Sequence, residues 1–254
     1  MLFRSVPGDF ARHAAEIPGR IVLVRHEYPF SPVHVHRRRK IAMAMEHGAA
    51  GFIIANPWQG GGLLAGSSGR GGARGIPAVS TDFASALRLA PGPGGRPRVR
   101  LEVSGEDFAG TTDVLMLHLP GRGDETVCLS AHVDGHDLAE SAMDNGSGVA
   151  VVLALARALA PQVAHCARGL RVCFFSAEEW ALAGSKAWLA GLTDAARASI
   201  ALNVNLDTVA GGARLTALTS EFPALDAFVT AAADGIGAPL GTYRPLMANS
   251  DHYN

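Results

Sequence analysis

The sequence predicts an α/β chain: a mostly parallel sheet with helices on both faces, giving three layers, joined to a small β-rich unit on its N-terminal side. Three observations predict it. From Thr111 onward, short apolar runs alternate with longer helix-like runs, which is how a parallel sheet is wired. The first third instead carries short strands separated by Pro- and Gly-rich connections. The 254 residues are 48% hydrophobic and 18% charged, an ordinary globular balance that excludes a disordered chain. The change of pattern sets two domains, 1–105 and 106–254.

In chain order, residues 19–25 follow a Pro-Gly turn with Ile21-Val22-Leu23-Val24 and read as a strand. Residues 38–47 are helix formers ended by Gly48. Residues 49–55 are an apolar strand, and a glycine-rich loop spans 60–75. Residues 76–80 are a further strand, after which Thr81 or Asp82 can cap a helix reaching Leu89. Residues 90–96 form a loop, and 98–103 alternate charged and apolar side chains as a half-exposed strand does. In the second domain 114–119 and 127–131 are strands. Residues 149–160 form a helix, apolar nearly all round and stopped by Pro161. A strand at 170–175 runs into Ser176-Ala177-Glu178-Glu179 and a helix continuing to about Leu192. Residues 201–206 and 215–218 are strands, and 222–236 a last helix.

The formal net charge of -1 leaves no general affinity for nucleic acid or anionic lipid. No apolar run in the sequence reaches the roughly 18 residues of a membrane span. Residues 1–10 lack a cationic start followed by a long apolar core, so no secretory signal is read there. The three cysteines cannot form a disulfide framework, and Cys128 and Cys173 sit in apolar runs as small core residues. His26, His34 and His36, like Arg37-Arg38-Arg39-Lys40, read as a solvated loop and helix start.

In a parallel sheet, function gathers beyond the carboxyl ends of the strands. There stand His132 and Asp134, then Asp144 before the long helix, Glu178 and Glu179, Asp207, and finally Asp251 and His252. Each has an ordinary structural reading by itself: a half-buried histidine, a helix-start acid, a turn former. Together, two imidazoles and several carboxylates at one sheet edge suit zinc, which takes nitrogen and carboxylate oxygen. His132 and Asp134, at i and i+2, share a strand face, so Asp134 can accept the second ring proton of His132.

Ser130-Ala131-His132-Val133-Asp134, Ala142-Met143-Asp144-Asn145-Gly146-Ser147-Gly148, Phe174-Phe175-Ser176-Ala177-Glu178-Glu179, Asn205-Leu206-Asp207 and Ser250-Asp251-His252 occur in that order. The set resembles the co-catalytic zinc peptidases related to bacterial leucyl aminopeptidase, aminopeptidase Y and glutamate carboxypeptidase. The resemblance implies the zinc-exopeptidase fold and two zinc ions. It places His132 and Asp207 on one ion, Glu179 and His252 on the other, and Asp144 between them. It gives Glu178 the general acid/base role and Asp134 a supporting one. His136 and Asp137, between two ligand segments, are expected to meet a peptide substrate. The segments at 21–25, 48–56 and 76–80 resemble a protease-associated domain, which in this family shapes or covers the cleft.

The resemblance implies an exopeptidase, an aminopeptidase in the first reading. The stretch 135–141 before Ala142-Met143-Asp144 is somewhat similar to the carboxypeptidase or dipeptidase branch, which is the alternative. A non-catalytic receptor-like protein on this fold is the alternative from another class, and such relatives lose ligands. Family members carry a further strand and helix after the last histidine, so the chain is expected to be a fragment, truncated at its C-terminal end. His252, close to the end at Asn254, is then expected on a tail that must be ordered to bind metal.

Overall fold

In the computed structural model the described residues are 5–27, 35–64, 66, 75–106, 108–136, 139–212 and 214–254. They divide into two compact units, Met1–Ala109 and Gly110–Asn254, each with its own apolar core. Most of the glycine-rich loop, and His34, lie outside the described residues.

In the first unit α1 (Pro7–Arg12) and a 3-10 turn lead into β1 (Ile21–Arg25), followed by α2 (Arg37–Glu46), β2 (Gly51–Ala55), β3 (Ala78–Thr81) and α3 (Phe83–Leu89). The strands pair in parallel in the order β1-β2-β3, with Ile21 opposite Gly51 and Phe52 opposite Ala78. The central strand β2 is buried along its length, which is why its sequence is continuously apolar rather than alternating. Phe10, Val24, Ile41, Met43 and Phe52 meet in the core. Asp82 caps α3 by accepting from the Ser85 amide at 2.8 Å. After α2 the chain turns at Gly48, whose φ of +75° favours glycine.

Two expectations for this unit are corrected. Residues 98–103 join no ladder; they are largely exposed, and Arg100 donates to Glu102 two residues on. Alternation without a strand partner is not enough to make a strand. The basic start of α2 is not wholly solvated either. Lys40 is fully buried, its ammonium 3.3 Å from Glu27 and donating to the Arg25 carbonyl at 2.6 Å. His36 caps the same helix, Nδ1 accepting from the Arg38 amide at 3.2 Å.

The second unit contains β4 (Leu115–Leu119), β5 (Thr126–His132), α4 (Ser147–Val163), β6 (Gly169–Phe175), α5 (Ala183–Ala190), α6 (Asp194–Ala198), β7 (Ile200–Asn205), β8 (Leu215–Leu218), α7 (Pro223–Gly235) and β9 (Leu240–Tyr243). The main sheet has the order β4-β6-β5-β7, parallel except for β4 at the edge. β8 does not extend it but pairs in parallel with β9, a strand the sequence reading missed. Leu129, Ala131, Leu170 and Val172 on one face pack against Val152, Ala156 and Val163 of α4. On the other face Trp188 of α5 lies 5.5 Å from the Phe175 ring, with the Arg171 guanidinium 5.9 Å from its centre. Helices therefore cover both faces, as expected. Cys128 and Cys173 are buried and all three cysteines are free.

Pro161 does not stop α4, which continues to Val163, because Val163 is buried in the core and holds the last turn in place. The stretch Ala142–Val163 has 22 residues and holds an 18-residue window of mean hydropathy 1.4, long and apolar enough to cross a membrane by length and composition alone. Its inner side instead packs on β5 and β6, while Val151, Leu153, Leu155 and Leu159 face outward and exposed.

The helix expected from Glu178 begins only at Ala183. Between them Ala181 and Leu182 adopt φ of +66° and +61°, and the Glu178 and Glu179 amides donate to the Asp134 carboxylate rather than into a helix.

Removing one partner of a buried ion pair strands the other charge. Glu27→Ala should therefore lower the stability of the first unit by about 3–5 kcal/mol in urea denaturation, and pairing it with Lys40→Met should recover most of that loss.

Candidate metal centre

His132 ends β5, with 1% of its side chain exposed. Its Nδ1 lies 3.0 Å from the Asp134 backbone carbonyl and 3.5 Å from the Asp134 carboxylate. The expected carboxylate acceptor is thus the more distant one. The reason is that the Asp134 carboxylate is already taken, accepting from the Glu178 and Glu179 amides at 3.1 Å each. Asp134 therefore ties the end of β5 to the turn that carries both glutamates. With Nδ1–H donating to that carbonyl, Nε2 is the ring nitrogen turned to the other carboxylates, and it can ligate a metal once it gives up its proton.

That nitrogen faces Asp144 Oδ1 at 3.1 Å and Asp207 Oδ1 at 3.5 Å. Ligand atoms of His132, Asp144 and Asp207 all lie within 4.8 Å of one another. Asp144 is presented by an irregular turn, Ala142–Gly146, in which it (φ −113°, ψ 95°) and Asn145 leave helical geometry before α4 starts. The buried Asn145 fixes that turn. Its Nδ2 donates to the Leu206 carbonyl at 2.9 Å, and its Oδ1 accepts from the Gly148 and Thr208 amides at 3.0 and 3.2 Å. Any Cβ on Gly148 would stand 2.2 Å from the Leu206 carbonyl oxygen, so only glycine allows this approach.

Glu179 and His252 are not in the three-residue cluster. Glu179 Oε2 lies 3.0 Å from His136 Nε2. His136, expected at the substrate, is thus at the rim beside a predicted ligand; Asp137 lies outside the described residues. His252 sits in a short 3-10 turn, Asp251–Tyr253, and that segment is tied down. Asn205 donates to the Ser250 hydroxyl, Ser250 to the Asp207 carboxylate, and Asn254 to the Leu182 carbonyl and the Ser185 hydroxyl. The loose tail expected from the sequence is not what the contacts describe.

Whether this set fits zinc is testable on its polar atoms. His132 Nε2, Asp144 Oδ1, Glu179 Oε1 and His252 Nε2 are buried and make no hydrogen bond, although the first two face each other at 3.1 Å as an ion pair. Buried polar atoms are otherwise almost always satisfied, and nitrogen with carboxylate oxygen is the donor set of zinc. The residues fit the ion.

The charges agree. Burial disfavours a charged His132, yet the carboxylates of Asp134, Asp144 and Asp207 outweigh burial and push its pKa well above the ordinary histidine value. Burial raises Asp207, but bonds from His132 and Ser250 carry it below the usual carboxylate range. Burial, reinforced by Asp207, Asp251 and Glu179, lifts Glu178 to about 8. Burial likewise raises Glu179 and takes Asp251 up to about 6, and it lowers His252.

Residues 114–254 match Peptidase family M28 and residues 5–89 match the PA domain, as the motif resemblance implied. The chain is 32% identical over 209 residues to a probable lipoprotein aminopeptidase, LpqL, of Mycobacterium tuberculosis, which covers 80% of this chain and 38% of the relative. It is 28% identical over 205 residues to a probable leucine aminopeptidase 2 of Aspergillus fumigatus, covering 79% and 39%. The chain thus spans about two fifths of the length of these relatives. In fold it is similar to a zinc aminopeptidase from Bacillus subtilis, with TM-score 0.63 and 23% identity over 98% of this chain and 59% of the other. It is also similar to an aminopeptidase from Aneurinibacillus sp. strain AM-1, with TM-score 0.64 and 24% identity over 94% and 59%.

Asp134 generates the prediction here. Asp134→Asn keeps its size but leaves one acceptor oxygen for two amides, loosening the turn that bears Glu178 and Glu179. Zinc affinity should fall about 10–100-fold, the scale for partners behind a ligand, measured by competition with a chromogenic chelator.

Proposed function

The chain belongs to peptidase family M28, and from that footing we propose that it carries the catalytic centre of a zinc-dependent aminopeptidase with two zinc ions. The observation that carries the reading is the cluster of His132, Asp144 and Asp207 ligand atoms within 4.8 Å of one another, together with buried atoms of Glu179 and His252 that make no hydrogen bond. His132 and Asp207 hold one ion, Glu179 and His252 the other, and Asp144 lies between. The aminopeptidase names of both relatives support the choice of reaction. Bound zinc polarises the scissile carbonyl and acidifies water.

The chain's own residues then supply the proton chemistry. Glu178 is 7% exposed and adjoins Glu179. Its carboxylate takes a proton from the water whose oxygen attacks the carbonyl carbon. It returns that proton to the amine nitrogen as the C–N bond breaks, leaving a carboxylic acid and an amine, and the acid's proton then passes to the amine to give carboxylate and ammonium. A carboxyl lifted to about 8 by burial is suited to hold and release a proton near neutral pH. His136, 30% exposed beside Glu179, is proposed to meet the substrate, and Asp137 is proposed with it from the sequence.

Peptides with free and blocked amino termini, offered to the full-length protein, test the proposal. Cleavage confined to the free-amino set is expected. Cleavage of the blocked set would assign the carboxypeptidase branch, and bound zinc without cleavage a binding protein. Glu178→Ala should keep its zinc while kcat falls at least about 100-fold; metal loss with normal turnover per zinc would refute the role. Asp144→Asn should weaken both zinc-binding steps in calorimetry, because it removes the charge between two cations, and one unchanged step would make Asp144 a single-site ligand.

A further inference from the structure

We infer that the first unit holds a binding site for a small aliphatic carboxylate, in a cavity bounded by the sheet β1-β2-β3 and α2. The site stands apart from the zinc reading and does not depend on it. The cavity has a volume of about 350 Å³, the size of a small-molecule site. His26, Arg37 and Ser80 form its polar wall, and Ile41, Phe52 and Ile54 belong to its apolar wall.

The fold sorts these groups. Phe52 of β2 is the register partner of Ala78 in β3, and the alternation carries Ile54 and Ser80 to the same side. Ile41 of α2 meets Phe52 and Ile54 there. The polar groups gather where the strands end. His26 directly follows β1, its amide donating to the Ala55 carbonyl at 2.9 Å. Ser80 is the last residue but one of β3, and Arg37 opens α2. The carboxyl ends of parallel strands are where such sheets take ligands. The cavity is thus polar at one end and apolar along the sheet face.

Arg37 sets the charge of the ligand. Its guanidinium lies in close contact with Gly66, where a Cβ would stand 2.5 Å from Cζ and Nη2. Glycine leaves the room that the planar fork occupies, and such a fork matches a carboxylate through two parallel bonds. An imidazole has an N–H in either tautomer and a serine a hydroxyl proton, so His26 and Ser80 add donors to the same wall. None of the described lining residues is acidic. The acids that flank these walls in sequence are engaged, Glu27 with Lys40, Glu46 with Arg39 and Asp82 in the cap of α3. An incoming anion therefore meets attraction, and an aliphatic group attached to it leaves water for Ile41, Phe52 and Ile54. A bare inorganic anion would use only the polar wall. The carboxyl end of a peptide with an apolar last residue and a free branched acid both use the two walls.

Saturation-transfer NMR on the full-length protein tests the site. N-acetyl-leucine stands for the peptide end, isocaproate for the free acid and N-acetyl-leucinamide for the same shape without charge. The better acid should bind with a Kd on the order of 1 mM and the amide at least about 10-fold more weakly, the scale of a hydrogen bond to a charged group; which acid binds better names the source. Arg37→Gln should weaken the acid at least about 10-fold with an unchanged circular dichroism spectrum. Arg37→Lys, which keeps the charge and loses the fork, should fall between. If Arg37→Gln does not fold, Gly66→Ala, at an exposed position, takes the space of the guanidinium and should give the same loss. Equal binding of amide and acid, no binding of either acid, or full affinity in a folded Arg37→Gln or Gly66→Ala overturns the inference. Binding that survives Arg37→Gln and disappears when a chelator removes zinc puts the acid at the metal centre, which overturns the inference and leaves the zinc reading standing.

Discussion

Six carboxyl groups crowd one buried imidazole, and the architecture at this end of the sheet follows from keeping that charge in place. Asp134, Asp144 and Asp207 are paired with His132, and Glu178, Glu179 and Asp251 feel its charge. Two of them, Glu178 and Asp251, are buried, so burial and mutual repulsion both press against their ionisation. A single imidazolium cannot balance them. Cations held among the unpartnered donor atoms would remove the conflict, and that makes the cluster a site rather than a flaw in the core.

Neutral polar side chains do the stitching. Asn145 connects the turn bearing Asp144 to the end of β7. Asn205, Ser130 and Ser250 connect β5, β7 and the His252 turn. Amides and hydroxyls both donate and accept, so they can fix carboxylates without adding to the charge already there. The one carboxylate used as a connector, Asp134, is satisfied by two backbone amides and so does not repeat the problem. In the first unit the sheet is held more simply, by a continuous apolar strand and one buried Lys40–Glu27 pair.

Elements defined by local pattern were legible in advance. The apolar strands around 21–25, 51–55, 127–131 and 170–175 and the Asp82 cap all stand where the sequence places them. The misread elements depend on distant partners. Residues 98–103 have the alternation of a strand but no neighbour to pair with. The residues after Glu179 have helical composition, yet Asp134, more than forty residues upstream, claims the amides that would have opened the helix. Pro161 reads as a stop, but core packing of Val163 carries the helix past it. At the candidate site the charged residues could be picked out because they fall at strand ends. Asn145, Asn205 and Ser250 could not be given their connecting roles, since an asparagine or serine in a loop is ordinary.

The sequence by itself determined the α/β class, the two-part organisation of its pattern and the family likeness, because hydrophobic period and motif order are written along the chain. Tertiary structure alone decided which atoms of those motifs face one another. His132 Nε2 meets Asp144 and Asp207 through the parallel register of β5 with β6 and β7 and the irregular turn before α4. The burial of Lys40 and the anchoring of His252 were decided in the same way. The physical reason is common to all three: burial and hydrogen bonding act on neighbours in space, and a linear sequence records a neighbour only when it is also close along the chain.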